Sequence, residues 1–582
     1  MRFRSVELVC SVGCLALACT GEIGDASPGG AAPGATAGAG ASNVPSAGAA
    51  GLSGGGGGSD IPPPAADGSL PYAAPQPADA ALRARTWLLT PEEYGRSVQQ
   101  VLGVPVDVSD MEPVPDNGVY PNMSSSGLVR VTLAEQYSAK AEQAVLALSD
   151  AQLRALIPCG NVSATCKADF VRAAVTKAFR RTASAEDLTS YGEVFDLAAA
   201  SGDAALPFRW VLKGVLNSPY FLYRTEIGAP SDEANASFRL TNHEIASFLS
   251  FSVLGAPPSA TLLAAAERGE LTDPALLPGH VEQLLATPTA GEQLGRFLVQ
   301  WLRLHHFEAE IEKFDNVFPG FANVKDAMFA ETQGFLRTHG GLDGSIASLL
   351  TAPVSQPDPA LTAFYRSDAS GSSDTERKGL LSLGALLSNT AKKYLTSPTL
   401  RGLFIRDQLL CQHITLPDNF TPPAIEESEM RLAPKTTREL YETHDSQPLC
   451  KGCHSLIDNV GYMLENFDGA GRFRTLEQYT SPSLTAPIAA PQPINAAGRL
   501  LNTDVDGDYD SAAELGEALS RSTWVRECVA RQAFRFYFGQ AEPARGIPPV
   551  VQGTAALTRT GLMRDLIVAL LTSPSTVDRV RQ

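Results

Sequence analysis

Again and again along this chain a Ser or Thr stands three residues ahead of a Glu or Asp, just before apolar residues spaced three or four apart. Thr90 with Glu93, Thr132 with Glu135, Ser184 with Asp187, Thr241 with Glu244, Thr436 with Glu439 and Ser511 with Glu514 all fit this pattern. It is the signature of a capping box, in which two backbone N–H groups at a helix start are satisfied reciprocally. The first case is the fullest: Pro91 takes the first helical position, Tyr94, Val98, Val101 and Leu102 follow at helical spacing, and Gly103 stops the run. Alternating, strand-like runs are scarce, and no fixed-period repeat is visible. The expected fold class is mostly all-α: several helical bundles in series with long irregular loops. Residues 475–503, which contain prolines, read as an irregular insertion holding a short hairpin.

The N-terminal stretch cannot join that fold. Arg2 and Arg4 precede a largely apolar run over residues 6–18, interrupted by Glu7, and Leu15-Ala16-Leu17-Ala18-Cys19 looks like a bacterial lipobox. Cys19 is therefore expected to be lipidated after removal of a signal peptide at residues 1–19. The apolar run is too short to span a bilayer, so the expected membrane attachment is a lipid anchor, which several acyl chains on one Cys make stable. Residues 20–80 are mainly Gly, Ala, Ser and Pro and cannot bury a core. A flexible tether of this length holds the helical part of the chain roughly 40 to 45 Å from the anchor on average.

Near the other end stands Cys450-Lys451-Gly452-Cys453-His454, a CxxCH motif with the spacing that attaches a c-type haem covalently. Two thiols three residues apart can form thioethers to one porphyrin, and the adjacent His can ligate the iron. A thioredoxin-like reading requires a βαβ setting that is not visible. Zinc is the better rival, with His444 and His413 upstream, although Cys453 and His454 would crowd one tetrahedral ion. His444 is the leading candidate for a second axial ligand, with Met430, Met463 and Met563 as alternatives that equally suit a core. Arg472 and Arg474 are candidates for haem propionates, or else for pairing with Glu. Asp458, Glu465 and Asp468 are candidates to orient His454, or else caps and turns.

The nine cysteines suit an oxidising compartment. Cys10 and Cys14 leave with the signal, Cys19 takes lipid, and Cys450 and Cys453 go to haem. Four remain. Cys159 and Cys166 bracket a short polar loop suited to a local disulfide, which leaves Cys411 to pair with Cys528; buried free thiols are the alternative. With 46 basic and 63 acidic side chains the formal net charge is -17, which argues against nucleic acid or an anionic membrane surface as partner. Asp504, Asp506, Asp508 and Asp510 lack EF-hand spacing and read as a polar turn before the helix capped by Ser511. No nucleophile elbow, HExxH or phosphate loop is present.

These motifs, in order, resemble a multi-domain family of unknown function from planctomycetes and myxobacteria, whose domains are numbered 1587, 1595, 1592, 1588 and 1585. Leu89-Thr90-Pro91-Glu92-Glu93-Tyr94 is similar to the opening of the first domain. Ala178-Phe179-Arg180-Arg181 and Ser218-Pro219-Tyr220-Phe221 are similar to the second, and Leu240-Thr241 with Gln300-Trp301-Leu302 to the third. Ser397-Pro398, Arg401-Gly402, the CxxCH and Glu465-Asn466-Phe467-Asp468 are similar to the fourth. The chain departs from the pattern at Asn459, where Pro is usual, and at Gly539-Gln540, where Gly-Arg is usual. The resemblance implies a cytochrome-c-like domain and supplies no reaction.

The expected organisation is helical domains at 81–150, 151–230 and 231–370, a cytochrome-c-like domain at 371–480 and a C-terminal helical domain at 481–582. The expected function is a lipoprotein of the bacterial outer membrane, facing periplasm or cell surface, that carries haem c and transfers electrons to a redox partner. A haem-dependent oxidase or peroxidase on an exported substrate, and a non-haem scaffold stapled by disulfide or zinc, are the alternatives.

Overall fold

The computed structural model describes residues 82–112, 120–123, 131–232, 235–355, 358–366, 377–414, 435–444, 448–478, 490–543 and 546–581, without the side chains of 232, 443, 444 and 448–451. The signal, Cys19 and the tether therefore lie outside the described residues, as does Met430.

Helices dominate, and most begin where a side chain caps them. In α1 (Pro91–Leu102) Glu93 N donates to Thr90 Oγ1 at 3.2 Å and Thr90 N donates to Glu93 Oε2 at 3.0 Å. Gly103 ends it at φ 74°, a left-handed conformation that favours glycine. The same reciprocal box opens α5 (Ala185–Ala199) at Ser184 and α7 (Asn242–Leu254) at Thr241. Two details differ from the sequence expectation. Thr132 lies inside α2 (Val131–Leu146), and its hydroxyl donates to Glu112 Oε2 at 2.9 Å, so it caps nothing. Ser149 and Gln152 form an unanticipated box at the head of α3 (Asp150–Leu156), because Gln serves as well as Glu.

The buried apolar residues gather into two main cores. The first takes the inner faces of α1, α2, α4 (Lys167–Phe179), α5 and α6 (Leu206–Leu216). Its centre is aromatic: Tyr94 meets Tyr137 edge-on at 4.7 Å, and Phe170 and Phe195 flank Phe208. The second runs from α7 through α8 (Pro288–Trp301) and α9 (Phe321–His339) to the last helices of the chain. Residues from three sequence segments, such as Phe297, Leu386 and Phe534, share it.

Short strands tie distant parts of the chain. β1 (Arg85–Leu88) runs antiparallel to β2 (Tyr223–Glu226), and β3 (Ser237–Arg239) pairs with β8 (Asp578–Val580). Glu226 at the end of β2 is buried against Arg85 of β1 and Arg579 of β8. The insertion holds one hairpin, β4 (Leu476–Glu477) with β5 (Gln492–Pro493), and supplies β6 (Gly498–Leu500) to a second, whose other strand β7 (Gly507–Tyr509) lies beyond it. The aspartates beyond β6 have separate tasks. Asp504 accepts from Ser522 Oγ and Thr523 N, each at 2.6 Å, at the head of the helix Thr523–Phe538, while Asp506 accepts from Thr503 N.

Candidate functional site

α10 (Pro398–Phe404) and α12 (Pro448–Tyr462) cross backbone to backbone, with α11 (Thr437–His444) between them in sequence. A Cβ on Gly402 would strike the carbonyl of Ile457, and one on Gly461 the carbonyl of Pro398. Glycine at both points is what lets the helices approach so closely. Pro448 starts α12, where its missing N–H costs nothing. Within the helix, Cys450, Cys453 and His454 stand at i, i+3 and i+4, so all three share one face.

The contact between α10 and α12 fixes the histidine. His454 Nδ1 lies 2.9 Å from Asp458 Oδ2, and Thr399 Oγ1 donates to Asp458 Oδ1 at 2.7 Å. Asp458 is almost wholly shielded, with a side chain 1 % exposed against 21 % for His454. A carboxylate only accepts, so the imidazole donates to it from Nδ1. Cys453 is a half-buried free thiol. The side chains of Cys450 and His444 lie outside the described residues. Arg406, buried behind α12, donates from Nε and Nη2 to Leu456 O, and from Nη1 to Leu501 O. Burial pulls its guanidinium down to about 10.

Beyond the end of α12 lies a charged floor. Arg401 Nη1 donates to Glu465 Oε1 and to Leu464 O, both at 2.8 Å, and its Nη2 reaches Asp468 O. Thr396 Oγ1 donates to the other Glu465 oxygen at 2.6 Å. Arg474 Nη2 sits 3.5 Å from Glu465 and 3.4 Å from Glu477, whose carboxylate also accepts from Thr437 N and Oγ1. Arg472 Nε donates to Asp468 Oδ2 at 2.7 Å. Both arginines considered for haem propionates are thus committed to carboxylates of their own chain. Burial pushes the Glu465 carboxyl up, and neighbouring Glu477 adds to that, against the pull of Arg401 and Arg474. Burial also opposes the charge on Asp468, yet Arg472 and Arg474 hold it below its usual range.

The remaining candidates are spread widely. Disulfides join Cys159 to Cys166, and Cys411, just past α10, to Cys528 on the helix Thr523–Phe538. Met463 and Met563 are buried in the second core. His413 is exposed, with Nδ1 at 3.3 Å from Asp407. Among the described residues no three His, Cys, Asp or Glu side chains cluster to hold a metal ion, and no helix is long and apolar enough to cross a membrane.

Three roles went unread in the sequence. Thr399 orients Asp458, Arg401 anchors the turn after α12, and Arg406 holds the α12 backbone. Their partners stand 50 to 64 positions away for Arg406 to Leu456 and Arg401 to Glu465, so no local pattern reveals them. The only local signal was an Arg-Gly pair at 401 and 402 directly behind a Ser-Pro helix start.

In chemical terms α12 offers an imidazole oriented through Nδ1 beside a thiol one residue away. The donor set fits a covalently attached haem: an oriented His whose second nitrogen meets a buried carboxylate is how a metal-ligating His is usually supported, and the Cys spacing suits two thioethers.

Three family models match the chain. PSD5, a protein of unknown function (DUF1595), matches residues 166–226; PSD4, a protein of unknown function (DUF1592), matches 240–366; and PSCyt3, a protein of unknown function (DUF1588), matches 377–477, which includes α10, the CxxCH helix and the charged floor. No curated protein and no solved structure matches the chain.

Proposed function

We propose that this chain, which belongs to the multi-domain family of unknown function whose 1595, 1592 and 1588 domains follow one another along it, is a cell-envelope lipoprotein that holds haem c on α12 and transfers electrons. One observation carries the reading: the CxxCH histidine has its Nδ1 on buried Asp458, which is itself held by Thr399. Haem iron, when bound, supplies one-electron exchange at a potential set by its axial ligands.

The chain's own residues do the rest. Cys450 and Cys453 attach the group through their thiols, and His454 presents Nε2. Asp458 keeps the proton on Nδ1 and makes the ring a stronger base. Thr399 keeps Asp458 in place, and the glycine contacts of α10 with α12 stop that support from shifting. Export through a signal at residues 1–19 and anchoring by Cys19 belong to the same proposal, and two disulfides are in keeping with an oxidising compartment.

The test is a pyridine haemochrome spectrum of the chain exported from a host with haem-c maturation machinery, alongside a Cys450→Ser, Cys453→Ser variant. A c-type spectrum that disappears in the variant is expected. Native protein with no haem would overturn the proposal and leave a stapled scaffold as the working answer. Cys19→Ala should release the chain from membranes into the soluble fraction; unchanged sedimentation with membranes would count against the anchor.

A further inference from the structure

Directly after α10 the chain widens into a single π-helical turn, Ile405–Leu409, closed by Leu410 N donating to Ile405 O at 3.1 Å. Such turns are rare and concentrate at functional sites. Just beyond it Cys411 has φ 50°, a left-handed conformation that is costly for a residue with a Cβ. Backbone strain of that kind persists only where the surroundings enforce it. Here the covalent bond to Cys528, 117 positions away on the helix Thr523–Phe538, holds the position.

A short relay of hydrogen bonds runs from that bridge to the CxxCH helix. Gln412, the sequence neighbour of Cys411, is buried; its Oε1 accepts from Arg406 Nη1 at 2.6 Å, its Nε2 donates to Asn502 O at 2.7 Å, and its backbone N donates to Arg406 O at 2.8 Å. Arg406 donates in turn from Nε and Nη2 to Leu456 O on α12, at 3.1 and 3.0 Å, two positions past His454. Arg406 is fully buried, and among the described residues the oxygens it bonds, on Gln412, Leu456 and Leu501, are all uncharged. Its hold on α12 therefore depends on where Gln412 is kept. Cys411 is the more open end of the bridge, half-buried where Cys528 is buried.

We propose that the Cys411–Cys528 bridge is a redox lock on the CxxCH helix, with Arg406 as the residue that couples the two. The inference concerns the backbone of α12 and does not rest on haem being attached. A small dithiol opens the lock: its thiolate attacks the Cys411 sulfur, the S–S bond breaks, Cys528 leaves and takes a proton, and the second thiol of the reductant displaces the first from Cys411 as a cyclic disulfide. Two electrons and two protons have then passed to the protein. Residue 411 returns to an ordinary φ, the wide turn relaxes, Gln412 parts from Arg406, and the hold on Leu456 O loosens.

The test is amide hydrogen exchange of the full exported chain before and after dithiothreitol, with alkylation to count the thiols released. Peptides covering residues 456–462 should exchange at least about ten-fold faster once Cys411 and Cys528 are reduced, while α5 and α9 change by less than about two-fold. A Cys159→Ser, Cys166→Ser variant should respond in the same way, which separates the two bridges. Cys411→Ser, Cys528→Ser should show the fast exchange with no further response to the reductant. Arg406→Met should exchange fast at 456–462 in both states, and Gln412→Leu, which cuts the relay but keeps Arg406, decides the matter if circular dichroism shows that Arg406→Met does not fold. The proposal is overturned if the bridge does not open in the folded chain, if residues 456–462 exchange alike in both states, if all helices speed up equally, or if a folded Arg406→Met or Gln412→Leu chain keeps the full response.

Discussion

Glu226 and Glu465 are both buried carboxylates facing two arginines, yet their protons behave in opposite ways. Glu226 takes Arg579 on Oε2 at 2.6 Å and Arg85 on Oε1 at 3.0 Å, and although burial opposes its charge, the two guanidiniums hold it down to about 2. Glu465 has one close guanidinium, Arg401 at 2.8 Å, and a second at 3.5 Å that it shares with Glu477, and its carboxyl is pushed up. The difference teaches that a buried acid is stabilised in charged form by cations it does not have to share. Where two acids compete for one arginine, burial wins.

Removing Glu226 should therefore have the largest effect. Glu226→Gln leaves Arg85 and Arg579 buried without their carboxylate, and is expected to lower stability by about 3 to 5 kcal/mol. Urea unfolding reads this, and a loss below about 1 kcal/mol would break the comparison. Because the folded value lies below the unfolded one, the stability from Glu226 is present above roughly pH 4.3 and fades as pH falls toward 2.

Glu331 is the opposite limit, a buried acid to which Tyr365 OH donates at 2.9 Å. Burial pushes it up to about 7, against the pull of Arg377. The folded state then keeps a proton that the unfolded chain releases, so stability is greatest below roughly pH 4.3 and declines by about 3 kcal/mol as pH rises to 7. Glu331→Gln should flatten that decline in melting curves taken between pH 4 and 8; an unchanged slope would show that the carboxyl is already charged.

Asp458→Asn should weaken metal-ligand binding at His454 on the order of 10- to 100-fold if the proposed haem site is right, read as a higher pH midpoint for acid loss of the His454 ligand in the haem absorption spectrum. A midpoint identical to native would remove Asp458 from the site. Glu465→Gln leaves Arg401 without its nearest carboxylate, yet should cost less than Glu226→Gln, because burial already opposes the charge on Glu465. A cost equal to that of Glu226→Gln would erase the contrast between the two regions. Smallest is Thr399→Val, which removes one hydrogen bond worth about 0.5 to 1.5 kcal/mol and should shift the unfolding midpoint slightly.

Much of the local structure was legible because helix starts are written within four residues. Thr90 with Glu93 and Thr241 with Glu244 close their boxes through atoms three positions apart, and Gly103 ends α1 in the conformation glycine tolerates best. Thr132 misled because the same pattern can arise inside a helix, where the hydroxyl instead found Glu112 twenty residues upstream. In the candidate site the CxxCH spacing marked the helix face, and Asp458 was within one turn of His454. Thr399 was invisible from there, since the partner it orients is 59 positions away.

By itself the sequence determined that this chain is mostly helical, where many of its helices begin, and which helix carries the CxxCH motif, since all of these depend on neighbours along the chain. Only the tertiary structure decided which carboxylates meet arginine and which must share one, that α10 seats against α12 through Gly402 and Gly461, and that the Cys411–Cys528 bridge is relayed to α12 through Gln412 and Arg406. Those outcomes depend on the distance between groups remote in sequence and on how much water remains around them. Neither quantity is encoded in local spacing, because burial is a property of the whole packed chain.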